Sequence, residues 1–215
     1  MKKRLAIIGA SALGQQIHHH AHASGEYDVV AYFDDYCSAG ERVNGVPVIG
    51  GLSQIEKFYQ QGKFDELMIG VGYKHMEARR MIYDKYRGVI PFARIVSKSA
   101  IVDPTAIIHE GAIIYPGTIV DLRAEIGANV LLNIGVVVSH DSKVGAHSFC
   151  APNVSIAGFV NVGECCTLGI NSTLIDNVSL VSEVTIGAGA VVTKSVDACG
   201  IYVGIPAVKI SSKNK

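Results

Sequence analysis

The sequence predicts a small α/β domain followed by an all-β coil of six-residue repeats, a parallel β-helix. Three observations predict it. An apolar residue recurs every six positions from Ile95 to Val192. Strand-like and helix-like segments alternate before that point and open on a glycine-rich turn. Aromatic residues make up only 7% of the chain, with no tryptophan and 23 glycines, which favours many tight turns over a core packed on large rings.

A chain of 215 residues makes one or two domains. Hydrophobic residues at 49% and charged residues at 18% exclude disorder as the main state. Nineteen basic residues balance nineteen acidic ones, and this zero net charge argues against a nucleic-acid binder. No uncharged apolar stretch approaches the ~20 residues of a membrane span. Met1–Arg4 and the apolar run to Ala12 read as a first strand rather than a signal peptide, because Gln15–His20 has no cleavage-site character. The cysteines are five in number and form no CxxC pair, which fits reduced thiols in a cytoplasmic protein.

The N-terminal elements follow in order. Arg4–Ile8 reads as a buried strand, and Gly9–Gly14 as the turn opening a helix to about Ala23. Val29–Phe33 is a second strand ending at Asp34-Asp35. A helix near Leu52–Gln61 precedes the strand Glu66–Val71, a helix covers about His75–Tyr86, and Val89–Phe92 leads into the coil. The domains expected are 1–94, half of a nucleotide-binding fold (Rossmann-like), and 95–215, the coil with a C-terminal tail. The turn matches GxGxxG except that Ser11 stands at the middle glycine, which in dinucleotide-binding turns lets a pyrophosphate lie against the backbone. That departure and the domain's size argue against NAD. A mononucleotide or nucleotide-sugar fits better, with Asp34 or Asp35 accepting from base or ribose. The alternative is a tight strand–helix turn with no ligand.

In the C-terminal half the anchors read Ile95, Ile101, Ile107, Ile113 and Ile119, then one inserted residue, then Ile126 and every sixth residue to Val192. A period of six fits neither a helix nor an alternating strand and is the signature of a parallel β-helix. Three hexads make one triangular coil, and coils stack ~4.8 Å apart. Small residues after several anchors, such as Gly127, Gly145 and Gly163, are expected to let the chain turn the corners. Such a coil needs a cap and an oligomeric partner. The segment Val203–Ala207 is expected to break the repeat and fold over the last coil.

Eight histidines are candidates for chemistry. His18 and His22 could share a metal, but no Glu or Cys accompanies them, so they read as a solvated helix face. His140-Asp141 occupies non-anchor positions and should sit at a corner or point outward. The register with its insertion puts Gly158 one coil beyond His140 and Asp121 one coil before it. A glycine beside an imidazole leaves open space, and a nearby carboxylate holds one ring nitrogen and raises the basicity of the other, which suits a general base. A surface histidine without a role is the alternative. Zinc carbonic anhydrases of the gamma class gather three histidines on a similar coil. Here His109, His140 and His147 depart from that spacing, and no metal is expected.

A half-nucleotide domain followed by hexapeptide coils resembles bacterial sugar acyltransferases of the sialic-acid O-acetyltransferase (NeuD-like) group. The likeness is greatest to nucleotide-linked 4-amino-sugar N-acetyltransferases of the PglD type. The most specific matches are Gly9–Ser11, Asp34-Asp35, His140-Asp141, Leu168–Ser172 and Gly204–Ala207. The resemblance implies a left-handed coil and a homotrimer. It implies acetyl-CoA in the groove between neighbouring coils, and the nucleotide-linked amino sugar in the N-terminal domain. His140 then matches the catalytic base and Asp141 its acidic partner. Ser11, Ala12, Leu13, Asp34, Asp35 and Gly72 fall where the group holds the nucleotide. Phe149, Ile170 and Ala188 fall where it touches acetyl-CoA, and Gly158 belongs with them.

Three departures concern the substrate more than the reaction. Ala12-Leu13 replaces a Gly-His pair common in the first turn, Phe149 stands where histidine is common, and Asp141 is shorter than glutamate. The implied activity is transfer of acetyl to the 4-amino group of a UDP- or dTDP-linked 4-amino-4,6-dideoxy sugar for surface-glycan biosynthesis. O-acetylation of sialic acid or a related sugar is the alternative within enzymes. A non-catalytic nucleotide-binding scaffold is the alternative outside them.

Overall fold

The structure, a computed structural model, describes residues 1–211. The chain divides into two units, Met1–Ser97 and a second from Lys98 onward.

In the first unit, β1 (Lys3–Ile8), β2 (Tyr27–Phe33), β3 (Arg42–Val43), β4 (Val46–Gly50) and β5 (Glu66–Ile69) form one sheet ordered β3-β4-β2-β1-β5. Leu5, Ala6, Ile7 and Ile8 are fully buried, as a strand covered on both faces requires. The helices are α1 (Ala12–Ser24), α2 (Ile55–Gln60) and α3 (Met76–Tyr86). The strand β1 pairs in parallel with β2 on one side and β5 on the other. Its carboxyl end therefore opens on the crevice where the strand order reverses, the place at which α/β sheets take ligands.

Some boundaries differ from the sequence reading. The second strand begins two residues earlier, and β5 stops at Ile69 rather than Val71. The expected second helix is a single 3-10 turn, Leu52–Gln54, running into α2. Val89–Phe92 makes only an isolated bridge, Leu67 to Phe92. The hairpin β3–β4 was not anticipated, although Asn44-Gly45 marks it. Both residues have positive φ (50° and 79°), the conformation an Asn-Gly turn supplies.

The second unit is a left-handed parallel β-helix of short strands, most of two residues. Ile101 pairs with Ile119, Ile119 with Val137, Val137 with Ser155, Ser155 with Thr173 and Thr173 with Val191. One face therefore carries strands 101–102, 119–120, 137–138, 155–156, 173–174 and 191–192. Two further faces complete the triangle, and partners stay 18 residues apart as far as Val192, after which the tail shortens the step to 16.

This corrects the register. No residue is inserted: the inward column is Val102, Ile108, Ile114, Val120, Ile126, Leu132 and onward in strict sixes. Val120 is fully buried while Ile119 is 37% exposed, and Ile101 is 66% exposed. The apolar doublets Ile101-Val102, Ile107-Ile108 and Ile119-Val120 fit either phase, and only the pairing chooses. One coil before His140 therefore stands Leu122, not Asp121.

The corners are also turned differently from expectation. Arg123, Asn129, Asp141, His147, Asn153 and Phe159 all have φ between 54° and 62°, the left-handed conformation, repeating in the same sixes. The glycines after the anchors serve vertical packing instead. A Cβ on Gly145 would stand 2.5 Å from the carbonyl carbon of Gly163 in the next coil. Tail residues Gly200–Val203 extend one coil sheet in parallel, and Val208–Ser211 returns antiparallel to them, with Ala207 N–H donating to Val191 O. The segment thus caps the last coil, as expected.

A second inward column includes serines whose fates differ. Ser142 Oγ donates to Ala157 O at 2.7 Å and accepts from Val160 N–H at 3.0 Å. Ser172 Oγ is buried with no partner among the described residues. Ser142→Ala strands two buried backbone groups and is expected to destabilise by about 1–3 kcal/mol, whereas Ser172→Ala removes an unpaired hydroxyl and should leave stability unchanged or raise it. Urea titration of the two variants checks this. Equal losses would contradict the assignment.

Candidate active site

The coil's corner between strands 137–138 and 143–144 carries His140 and Asp141. Asp141 takes the left-handed turn position (φ 58°), which swings its carboxylate back beside the preceding imidazole. His140 Nδ1 lies 3.0 Å from Asp141 Oδ2. A carboxylate can only accept, so Nδ1 carries the proton and Nε2 keeps its lone pair. Nε2 has no hydrogen-bond partner among the described residues, and the side chain is 45% exposed. The edge of Phe159 meets the ring at 5.1 Å between centroids and 85° between planes.

Gly158 stands one coil beyond, where the sequence placed it. A Cβ there would lie 2.8 Å from His140 Cε1 and 2.9 Å from Nε2, so only glycine lets the ring settle over this position. The Gly158 N–H donates to Asp176 Oδ1 at 3.0 Å.

Asp141 is held from its other side by Arg123, with Nε on Oδ1 at 2.6 Å and Nη2 on Oδ2 at 2.8 Å. The Arg123 guanidinium, and after it His140, hold the Asp141 carboxyl down to about 2. The folded-state value lies below the unfolded one, so this pair's contribution to stability is complete above the unfolded pKa and is lost as pH falls toward 2. Arg123→Gln is expected to move the Asp141 titration up toward the ordinary carboxylate range, read by carboxyl carbon NMR. An unmoved midpoint would remove Arg123 as the cause.

Arg123, Phe159 and Asp176 were missed from sequence. An uninterrupted register would have put Arg123 directly before Asp141; Asp176 already stood one coil after Gly158 in the register read from sequence.

The implied acetyl-CoA residues are dispersed within the coil. Ile170 and Ala188 stack on successive coils at the corner preceding strands 173–174 and 191–192, with Gly189 N–H donating to Ile170 O, and both are exposed. This corner and that of His140 are opposite edges of one face. Phe149 lies on another face, 8% exposed. Burial raises the Cys150 thiol well above its ordinary range, and Cys150 fills an inward slot, so it packs rather than reacts.

In the first unit, Ser11 caps α1 with extended backbone and no side-chain cap bond. Ala12 and Leu13 open the helix. Gly72 lies beyond β5 on the other side of the crevice. Asp34 holds the turn together, because its Oδ2 accepts Ala10 N–H and its Oδ1 accepts Tyr36 N–H, both at 2.8 Å. Asp35 Oδ1 accepts Leu52 N–H at 2.9 Å. Gly14 is required because a Cβ would stand 1.9 Å from Gly9 O. A separate groove of about 740 Å³ runs along α1, lined by Ala12, Gln15, His18, His19, His22 and Asn44. His18 Nδ1 is engaged by Tyr32 Oη at 2.8 Å.

The other histidines have their own partners. His109 Nε2 meets Glu125 Oε1 at 3.2 Å, and the buried His147 Nδ1 accepts from Asn129 at 3.1 Å. Among the described residues no three His, Cys, Asp or Glu side chains gather as a metal site. Among the same residues no helix is long and apolar enough to cross a membrane.

An α/β unit joined to a left-handed β-helix, with a histidine–carboxylate pair on a coil corner, defines the hexapeptide-repeat class. Within it the first unit is similar to PglD-like proteins: residues 4–86 match the PglD N-terminal domain. PerB from Caulobacter crescentus, whose structure is in complex with CoA and GDP-perosamine, superposes with a TM-score of 0.89 at 28% identity, covering 96% of this chain and 97% of that one. The acetyltransferase domain of PglB from Neisseria gonorrhoeae, in complex with acetyl coenzyme A, gives 0.89 at 26% identity over 98% and 100%. UDP-3-O-acylglucosamine N-acyltransferase of Bordetella pertussis is 35% identical over 80 residues, 37% of this chain and only 22% of that enzyme's length.

Proposed function

We propose that the protein is an acetyl-CoA-dependent N-acetyltransferase acting on the amino group of a nucleotide-linked amino sugar, a UDP- or dTDP-linked 4-amino-4,6-dideoxy sugar in its finer form. The observation that carries this reading is the imidazole of His140. Asp141 fixes its Nδ1–H, its Nε2 is unpartnered among the described residues, and it is laid over a side-chain-free position. Full-length likeness to PerB and the PglB domain supports the choice of acetyl donor and nucleotide-linked acceptor.

In this reading His140 Nε2 removes a proton from the acceptor nitrogen as that nitrogen attacks the thioester carbonyl. A backbone N–H lining the cleft steadies the oxyanion. As the carbon–sulfur bond breaks, His140 returns the proton to the departing thiolate. Ser11, Ala12, Leu13, Gly72 and Asp35, whose Oδ2 has no partner among the described residues, line the strand-end crevice assigned to the nucleotide, while Asp34 shapes the turn that presents it. Ile170 and Ala188 offer a small, apolar, exposed edge for the donor's pantetheine arm.

The working assembly is a homotrimer. Exposed Ile101, Ile119, Leu122 and Ile134 cluster on and beside the face bounded by the His140 corner. A neighbouring coil seated there covers them and turns the His140 edge into a cleft. The cytoplasm, where acetyl-CoA is made and used, is the assigned compartment.

Release of free thiol from acetyl-CoA tests the reading. It is expected only when a nucleotide-linked amino sugar is present. Release driven equally by free sialic acid would favour O-acetylation, and no thermal shift with acetyl-CoA would favour a scaffold.

A further inference from the structure

We infer that Asp176 makes the site select an amine over a hydroxyl as acetyl acceptor, by holding the incoming ammonium beside His140. The inference rests on the acetyltransferase reading above and adds a residue to it. His140, Gly158 and Asp176 occupy one vertical column on three successive coils, as the pairing of strands 137–138, 155–156 and 173–174 dictates. The central member has no side chain. From one side the imidazole leans over it, with Nε2 2.9 Å from where a Cβ would be. From the other, the Asp176 carboxylate reaches up to its N–H at 3.0 Å. That is the only partner Asp176 has among the described residues, which leaves Oδ2 open. Asp176 is exposed, so an arriving group can meet it. A base with an open Nε2 and a carboxylate with an open Oδ2, both without partners among the described residues, thus approach the same glycine from its two neighbouring coils.

The chemistry of this pair distinguishes acceptors. An alkyl amine reaches the enzyme largely as R–NH3⁺, and a charge-assisted hydrogen bond to Asp176 holds it in place. One proton leaves to solvent. The neutral nitrogen attacks the thioester carbonyl, giving a tetrahedral species positive on nitrogen and negative on oxygen. His140 takes the second proton, the carbon–sulfur bond breaks, and the thiolate receives that proton. The products are amide, free thiol and the proton lost to solvent. Asp176 stabilises the positive nitrogen before and during attack. A hydroxyl acceptor carries no such charge and gains little from a carboxylate.

Asp176→Asn keeps an oxygen to accept the Gly158 N–H and removes only the charge. It is to be assayed against a nucleotide-linked 4-amino sugar and its 4-hydroxyl counterpart, with calorimetric affinity measured beside turnover. The expected result is a loss of roughly 10- to 100-fold in kcat/KM for the amine. Affinity for the 4-hydroxyl congener, KM for acetyl-CoA and Tm should stay unchanged, and the wild type's tighter binding of the amine should disappear. If wild type acetylates the amine and Asp176→Asn does so equally well, the inference is overturned and the enzyme reading stands. Equal losses for both ligands would also overturn it, by making Asp176 a structural support. If wild type neither binds nor acetylates the amine, the acetyltransferase reading itself fails and takes this inference with it.

Discussion

His140→Ala is expected to lower kcat for acetyl transfer by at least ~10²-fold while Tm changes little. The side chain is half exposed and its ring contacts, Asp141 and the edge of Phe159, lie at the surface of the corner rather than in the inward columns. Its removal therefore costs the coil little packing. What is lost is the one lone pair that the corner directs into open space. Acetyl-CoA affinity, which this account assigns to the Ile170 and Ala188 edge, should persist. Added imidazole should restore part of the rate, because the gap left by the ring is open to solvent. Unchanged turnover would remove His140 from the role of base.

Gly158→Ala carries the second large effect. A methyl there would stand within 2.9 Å of two ring atoms of His140, and the ring would have to swing away. Swinging breaks the 3.0 Å bond to Asp141, and with it the fixed tautomer. Misplacement of a reacting group by about 1 Å costs on the order of 10²-fold, so a comparable fall in kcat is expected. The fold should survive, because the atoms in the way belong to a partly exposed side chain and not to backbone. The contrast is Gly145→Ala, where the obstruction is the backbone of Gly163 and the coil itself must yield. If Gly158→Ala turns over at the wild-type rate, the ring's seat over this position is not needed for catalysis.

Much of this was legible in the sequence, and its gaps have physical causes. The sixfold apolar period survives any local choice because each coil must fill the same interior, so the β-helix is written many times over. The phase in the first coils was not legible, because Ile101, Ile107 and Ile119 face outward and are as apolar as the residues that face inward. A rule about one chain's core does not see apolar residues that the chain itself leaves uncovered. That single slip also hid Arg123, which stands one coil before Asp141, whereas Asp176 lay in the correctly read register and went unremarked because nothing in the chain marks a lone aspartate as a neighbour of Gly158. His140-Asp141 was legible because the pair is adjacent in the chain. Asp34 stands after β2, where a ligand residue is expected, and the structure gives its oxygens a further task, closing the glycine turn. The β3–β4 hairpin was missed despite its Asn44-Gly45 turn.

The most direct measurement is to incubate the protein with acetyl-CoA and a nucleotide-linked 4-amino sugar and to identify the product by carbon NMR with labelled acetyl. The expected product is an amide carbonyl attached at the sugar amine, formed in step with free thiol and absent with His140→Ala. Label recovered only as an ester on a hydroxyl, or an amide formed at the same rate without His140, would contradict it.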